Sequence, residues 1–315
     1  AASADFAARC ASPGVVRCYG FDDAGDLAKR VLDPSGNGRA RCAASRCWAL
    51  DRAVAASGGS LRVEIPSQSA ADTSGSFWIN FSEDLASQFG GGQEFFVQWR
   101  QRFSRAFLAA DYPGGGGWKQ VIIGSGDQPG KPYYSCTDLE VVLVNGYHRG
   151  FPQMYNSCSG SASHGPFDGF EQPFGQYDFK LQNARPAPFC LYSQGKLSPP
   201  AFFSPKGNCF GYVADEWITF QVGITLGPRQ GDEFVGSRVR MWLGRNGRPS
   251  EPVVDWGPYN LTAGSPAESQ RFGKVWLLPY NTGKDATAAH PVGHTWYDEL
   301  VVSRTRIADP VAAPG

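Results

Sequence analysis

The stretch GGGGWKQVIIGSGD, residues 114 to 127, sets four glycines before an apolar run that carries Lys119 and Gln120. Glycines close to a lysine suggest phosphate binding, but that chemistry needs G-x-x-x-x-G-K-[ST] opening a helix, so that backbone amides and the helix dipole meet the phosphates. Here the glycines precede a strand-like run and Trp118 separates them from Lys119, so they read as a flexible loop leading into a sheet. What remains is the chemistry of polar groups presented by strands. Side chains two apart on a strand share a face. EFFVQWRQRFS therefore sends Phe95, Val97, Trp99 and Phe103 one way, and Phe96, Gln98, Arg100 and Arg102 the other. WITFQVGIT groups Ile218, Phe220, Val222 and Ile224 against Trp217, Thr219, Gln221 and Thr225, and RVRMWLG sets Arg238, Arg240 and Trp242 against Val239, Met241 and Leu243. In DLEVVLVNGYH the polar set is Asp138, Glu140 and His148. Arginine and glutamine are planar donors, and beside indoles they suit a sugar chain, whose rings stack on tryptophan and whose carboxylates pair with guanidinium. The plainer alternative is a set of solvated outer faces, with arginines pairing carboxylates such as Glu140 and with Trp118, Trp217 and Trp242 packed under loops.

The elements that must carry these residues are strands. Period-two alternation recurs from residue 61 to 305, broken by clusters of Gly, Pro, Asn and Ser. The only helix-like pieces are short, Phe21 to Leu32 and Glu83 to Phe89. Alternating strands without a βαβ rhythm predict an all-β, antiparallel sandwich or jelly roll. Residues 1–60 read as an N-terminal cysteine-bearing segment that completes a single domain, 61–308 as the jelly roll, and 157–210 as a long insertion rich in Ser, Gly, Pro and Phe.

Composition narrows the partners. Lys+Arg and Asp+Glu both number 29, so no overall field draws the chain to nucleic acid or an anionic membrane. No apolar run approaches the length of a membrane span, and AASADFAARC has the small residues of a stub left by signal-peptide cleavage. The expectation is a secreted, monomeric, mature chain. Eight cysteines with no C-x-x-C pair, apart from the four histidines, fit an oxidised framework better than a zinc site. Sequence order suggests the pairs Cys10–Cys18, Cys42–Cys47, Cys136–Cys158 and Cys190–Cys209, although eight cysteines permit 105 pairings.

DEWITFQVGITLG followed by RVRMWLGRNG, then KVWLLPYN and TWYDELVVS, resembles secreted polysaccharide-lyase-like proteins with the concanavalin-like jelly roll, over roughly residues 60 to 305. The resemblance to the alginate, glucuronan and heparin-lyase types implies cleavage of an anionic, uronic-acid polysaccharide by β-elimination. That reaction needs a group to neutralise the C5 carboxylate, a base for the C5 proton and an acid for the departing O4. In the alginate-lyase type one strand carries Arg-x-Glu-x-Arg and another Gln-Ile/Val-His. QWRQRFS and KQVII then place Arg100 at the first arginine and Gln120 at the glutamine, while Arg102 stands where Glu would be and Ile122 where His would be. A base must come from elsewhere. NGYHRGFPQMY offers His148, with the only near-neutral reference pKa there, and Tyr155 as donor to O4; His290 and His294 are second choices. Gln98, Arg102, Lys119, Tyr147, Arg149, Trp217, Arg240 and Trp242 are the expected substrate contacts. The bland reading makes His148 and Arg149 turn residues and packs Tyr155 under a disulfide.

Other chemistries find less support. Glycoside hydrolysis would use paired carboxylates, for which Glu140, Asp298 and Glu299 are scattered candidates. A G-x-S-x-G elbow and an EF-hand loop are both missing from the sequence, so no cofactor is expected beyond a structural calcium bound through carbonyls. Asn80 and Asn260 stand in glycosylation sequons. The alternative to a lyase is a non-catalytic carbohydrate-binding or structural extracellular protein on the same scaffold.

Overall fold

A computed structural model describes residues 3–32, 47–70, 74–110, 118–145, 151–166, 178–188, 190–194, 203–281 and 284–311. The chain opens with α1 (Ala4–Cys10), β1 (Val15–Tyr19), α2 (Ala24–Lys29), β2 (Val31–Leu32), β3 (Trp48–Asp51), β4 (Ser60–Ile65), β5 (Ser76–Asn80) and β6 (Glu94–Phe103). After α3 (Arg105–Ala109) come β7 (Trp118–Ser125), β8 (Glu140–Asn145) and β9 (Pro152–Asn156). The short strands β10 (Asp178–Gln182), β11 (Cys190–Gln194) and β12 (Phe203–Lys206) follow. Last come β13 (Trp217–Thr225), β14 (Arg229–Gln230), β15 (Glu233–Arg245), β16 (Glu251–Thr262), β17 (Phe272–Leu277) and β18 (Gly293–Ser303).

Two curled antiparallel sheets pack as a sandwich, as the alternation predicts. The nine-stranded sheet runs β14-β15-β13-β6-β18-β4-β3, with β1 also on β18 and β16 on β15. The six-stranded sheet runs β2-β5-β17-β7-β8-β9, and β10-β11-β12 form a separate small sheet inside the long insertion. Between the large sheets lies the core, where the inward sets of β6, β13 and β15 meet Val121, Ile123, Val141 and Leu143 from β7 and β8. Trp99 and Phe220 stack there at 5.2 Å. Both are fully buried, and burying each such ring contributes about 1.5–3 kcal/mol.

The helices are short and locally specified. Ser3 caps α1 by accepting the Phe6 N–H, with Asp5 in the first turn and Arg9 in the last to match the helix dipole. The helix-like pattern of Glu83 to Phe89 does not form a helix: Leu85 has φ 62°, and Ser82 and Asp84 accept the Ala86 N–H in a local turn instead. Cys10–Cys18, Cys136–Cys158 and Cys190–Cys209 are disulfides. Cys42 lies outside the described residues, so the Cys42–Cys47 pairing does too.

Candidate functional site

The polar outer face of the nine-stranded sheet forms where alternation places it, but it is largely occupied by the chain's own ends. Gln221 receives the Ile307 N–H at 2.9 Å and returns its amide to the Ile307 carbonyl at 3.0 Å, clasping the backbone after β18. Gln98 accepts from Arg9 of α1 at 2.9 Å and donates to the Ala308 carbonyl at 3.0 Å. Arg9 also pairs with Glu299 and with Asp5. Arg100 is 7% exposed; it donates to Asn246 at 2.6 Å, stands 3.9 Å from Glu299 and lies over the Trp217 ring. Burial lowers the Arg100 pKa, against the opposing pull of Glu299. Arg240 pairs with Glu94, and Trp242 packs with Phe6, Phe96, Val301 and Ile307. Arg102, near Asp215 at 3.7 Å and over Trp296, keeps more exposure at 27%. The planar donors on this face satisfy peptide groups and carboxylates of the protein itself.

Gln120 departs from its expected position. The β7–β8 register shifts between Lys119 and Val121, a bulge that turns Gln120 and Val121 both inward and leaves Lys119 on the outer face. Gln120 is fully buried between the sheets. It donates to Gln101 at 2.5 Å and accepts from Asn145 and Tyr212 at 3.0 Å each, while its backbone carbonyl takes the Tyr297 hydroxyl. Arg100 and Gln120 therefore lie on different sheets and different layers, and do not form one ligand-gripping face.

The outer face of the six-stranded sheet carries the remaining chemistry. Cross-strand pairing lines up Trp78, Trp276, Ile122, Val142 and Tyr155 from β5, β17, β7, β8 and β9 as direct neighbours. Ile122, Val142, Trp276 and Leu278 make an apolar floor, with half-buried Trp78, Tyr133, Tyr155 and Tyr280 packed against it. On one side of this floor Lys119 projects from the bulge, half-buried, with its ammonium 5.3 Å from the Tyr280 ring centre. On the other, Glu140 is 1% exposed and shares the floor with Val142, two residues on. Thr137 holds one Glu140 oxygen through its N–H at 3.0 Å and its hydroxyl at 3.3 Å. The other oxygen, Oε1, has no hydrogen-bond partner among the described residues, nor has the Trp276 indole N–H.

Burial dominates the charges here. It lowers the Lys119 pKa, partly offset by Glu140, and raises the Glu140 carboxyl to about 7, partly offset by Thr137 and Lys119. Tyr155 is raised by burial and by the nearby Glu140 charge, which keeps its phenol protonated. The loop between β7 and β8 is fastened over the edge of this face. Lys274 donates to Asp127 and to the Tyr133 carbonyl, both at 2.7 Å, and stands over the Trp78 and Trp276 rings, while Asn80 donates to Asp127 at 3.0 Å. That bond and 7% exposure also take Asn80 away from the surface as a sequon.

Tyr147, His148 and Arg149 lie outside the described residues. His290 lies in the loop before β18 with its backbone N–H on Ser67, and His294 stands on β18 of the opposite sheet, 3.6 Å from Glu64 and away from the Lys119 face. Sequence reading names Tyr155, Lys119 and Glu140 separately and overlooks Trp78, Trp276 and Tyr280 beside them. Their common face becomes visible only when β5, β17, β7, β8 and β9 are known to be adjacent. Among the described residues no group of three or more His, Cys, Asp or Glu side chains could hold a metal ion, and no helix is long and apolar enough to cross a membrane.

No protein-family model and no curated protein matches the chain. Among solved structures it is similar to the marine alginate lyase from Aplysia kurodai, at 11% identity and TM-score 0.48 over 81% of this chain and 86% of that one. It is also similar to the endo-β-1,4-glucuronan lyase from the fungus Trichoderma reesei, at 12% identity and TM-score 0.46 over 90% and 98% of the two chains. An alginate lyase from Chlorella virus is similar at 11% identity and TM-score 0.38 over 83% and 90%. At these identities and TM-scores the likeness carries no argument about the chemistry, which must be read from the side chains.

Proposed function

We propose that the protein is a secreted lyase that cleaves an anionic, uronic-acid polysaccharide by β-elimination on the outer face of the six-stranded sheet. The observation that carries this reading is Lys119, turned outward by a bulge and lowered in pKa by burial, on the same face as the protonated Tyr155 phenol. A neutral amine is a competent base and a neutral phenol a competent acid. The Lys119 amine takes the C5 proton, the C5–H electron pair becomes the C4–C5 double bond as the C4–O4 bond breaks, and the Tyr155 hydroxyl gives its proton to O4. Lys119 is left as an ammonium and Tyr155 as a tyrosinate, and one proton passing between them restores both. Trp78, Tyr133 and Tyr280 supply rings for sugars to stack on. His148, the first-choice base in the sequence reading, follows β8 in the sequence and becomes the alternative base here, and Arg149 remains an expected substrate contact. Secretion fits the disulfides.

The test is a screen of uronate polysaccharides for the ultraviolet absorbance of the unsaturated product, with Lys119→Ala, Tyr155→Phe and His148→Ala compared. Loss of product with the first two supports the assignment, whereas loss with His148→Ala alone moves the base to that residue. A non-catalytic carbohydrate-binding protein would use the same aromatic floor, and is the reading to adopt if the wild type captures polysaccharide and releases no product.

A further inference from the structure

We propose that Tyr133 is a sugar-stacking subsite at the end of the floor remote from Lys119, and that Lys274 and Asp127 are positioning residues that fix its ring there, so that the face takes an extended uronate chain lying along β7. This rests on the lyase reading for the class of ligand, whereas the fixing of Tyr133 is a property of the folded chain. The segment DQPGKPY, residues 127–133, closes on itself. Gln128 and Lys131 exchange backbone hydrogen bonds at 3.0 and 2.9 Å around Pro129 and Gly130, with Gly130 at φ 69°, the proline-then-glycine order of a type II turn. The Tyr133 N–H then returns to Asp127 at 2.7 Å. At the base, Gln88 donates to the Asp127 carbonyl at 2.6 Å, and a Cβ on Gly126 would stand only 2.8 Å from the Gly273 Cα, so the small hairpin sits directly on β17.

One buried cation joins this hairpin to the floor. Lys274 is 1% exposed, and its ammonium donates to Asp127 and to the Tyr133 carbonyl at 2.7 Å each, 4.7 Å from the Trp78 ring centre and 5.3 Å from that of Trp276. Asn80 holds the second Asp127 oxygen at 3.0 Å, and Gln270 donates to the Tyr133 hydroxyl at 2.8 Å. Tyr133 is therefore fastened at its N–H, its carbonyl and its hydroxyl, while its half-buried ring packs against the floor. A ring ordered in advance spares a ligand the cost of ordering it. Exposed Lys131 brings an ammonium to 5.1 Å from the Tyr133 ring centre, a partner for the carboxylate of a sugar bound there. Position then sets the length of the ligand. Lys274 pairs with Gly124, whereas Lys119, five residues earlier on β7, bonds through its N–H to the Tyr280 carbonyl. At about 3.3 Å per residue the two ends lie roughly 15 Å apart along the strand, so one sugar cannot touch both and a chain of several can.

Fluorescence titration with labelled oligosaccharides of alginate and of glucuronan, a disaccharide and a hexasaccharide of each, reads the subsite through chain length. Tyr133→Ala should weaken hexasaccharide binding by about two- to tenfold and leave disaccharide binding unchanged, while Tyr133→Phe, which keeps the ring, should stay close to wild type. Lys274→Met removes the ammonium and should bring hexasaccharide binding to the Tyr133→Ala level, with faster hydrogen exchange over residues 127–134. If Lys274→Met does not fold, Gln270→Ala, which frees only the Tyr133 hydroxyl, carries the comparison with a smaller loss for the hexasaccharide alone. Equal losses for both lengths in Tyr133→Ala, no loss for either, or wild-type hexasaccharide binding by a folded Lys274→Met overturns the proposal. Binding of no oligosaccharide by wild type takes the subsite down together with the lyase reading. Length-dependent binding with no unsaturated product overturns the lyase reading alone and leaves the subsite standing.

Discussion

The two outer faces of the sandwich are built from the same alternation and differ in what covers them. On the nine-stranded sheet Gln98, Arg100 and Gln221 look, as residue types, like a surface for a sugar acid, yet they bind α1, Asn246 and the segment after β18. On the six-stranded sheet the floor is mostly apolar, and Lys119, Glu140 and Tyr155 are set around it on three different strands. A buried arginine with carboxylate and amide partners is a structural joint, whereas a half-buried lysine whose pKa is lowered by burial has the environment of a reactive group. Residue type alone does not distinguish a binding face from a docking face. What decides is which groups are already satisfied.

The comparison breaks most visibly at the base and the acid. Lys119→Ala and Tyr155→Phe should each lower kcat on a uronate polysaccharide by about 10²–10⁴-fold, the usual worth of a positioned acid or base, with thermal midpoints close to wild type. Arg9→Ala should do the reverse. It leaves Glu299 buried at 1% exposure without its main partner, so stability measured by urea unfolding should fall by about 3–5 kcal/mol while polysaccharide capture by folded protein is unchanged.

Glu140 sharpens the contrast through pH. Its folded pKa, about 7, lies above the ordinary 4.5, so the folded state holds the proton more tightly than the unfolded chain. Relative to a neutral side chain, its stabilising proton is fully bound below pH 4.5 and the advantage is lost as pH rises to about 7. Glu140→Gln should therefore match wild type in acid and exceed it at pH 8 by on the order of 3 kcal/mol, seen as a pH-dependent difference in unfolding free energy. Equal stabilities at both pH values would show that the carboxyl ionises at no cost.

Gln120→Ala should act as a core substitution. It strands the polar groups of Gln101, Asn145 and Tyr212 between the sheets, so a loss of about 1–3 kcal/mol in unfolding free energy is expected, with no direct loss of a sugar contact. The smallest effect belongs to Arg238→Ala. Its pair with Asp255 is exposed on both sides, and both stability and activity should stay within about 1 kcal/mol of wild type.

Much of the sandwich is legible in the sequence because alternation reports burial directly. The sorting of β6, β13 and β15 into inward and outward sets is the sorting found, down to Phe95, Val97 and Trp99 against Gln98 and Arg100. β16 is not anticipated, since its exposed start at Glu251–Pro252 and its Gly257–Pro258 break the period. The bulge at Gln120 is equally hidden. WKQVII, two polar residues followed by three apolar ones, has no clear period, and only its pairing with β8 shows where the register slips and that the glutamine turns inward. The docking of α1 and of residues 307–308 onto β6 and β13 joins positions some 90 to 200 apart in sequence, a tertiary fact with no local signal. The site suffers most from this. Trp78, Trp276, Lys119, Glu140 and Tyr155 come from five separate strands, and their residue types are common on any sheet.

The central claim is that ligand is met by the six-stranded sheet and not by the nine-stranded one. Calorimetric titration of a uronate oligosaccharide into Lys119→Ala and Arg102→Ala tests it directly, because Arg102, at 27% exposure, is the more accessible arginine of the two on β6. The account predicts that Lys119→Ala weakens binding about tenfold or more, the loss of one charge-assisted contact, while Arg102→Ala binds as wild type. Weakened binding in Arg102→Ala with wild-type affinity in Lys119→Ala would contradict it and return the site to the opposite face.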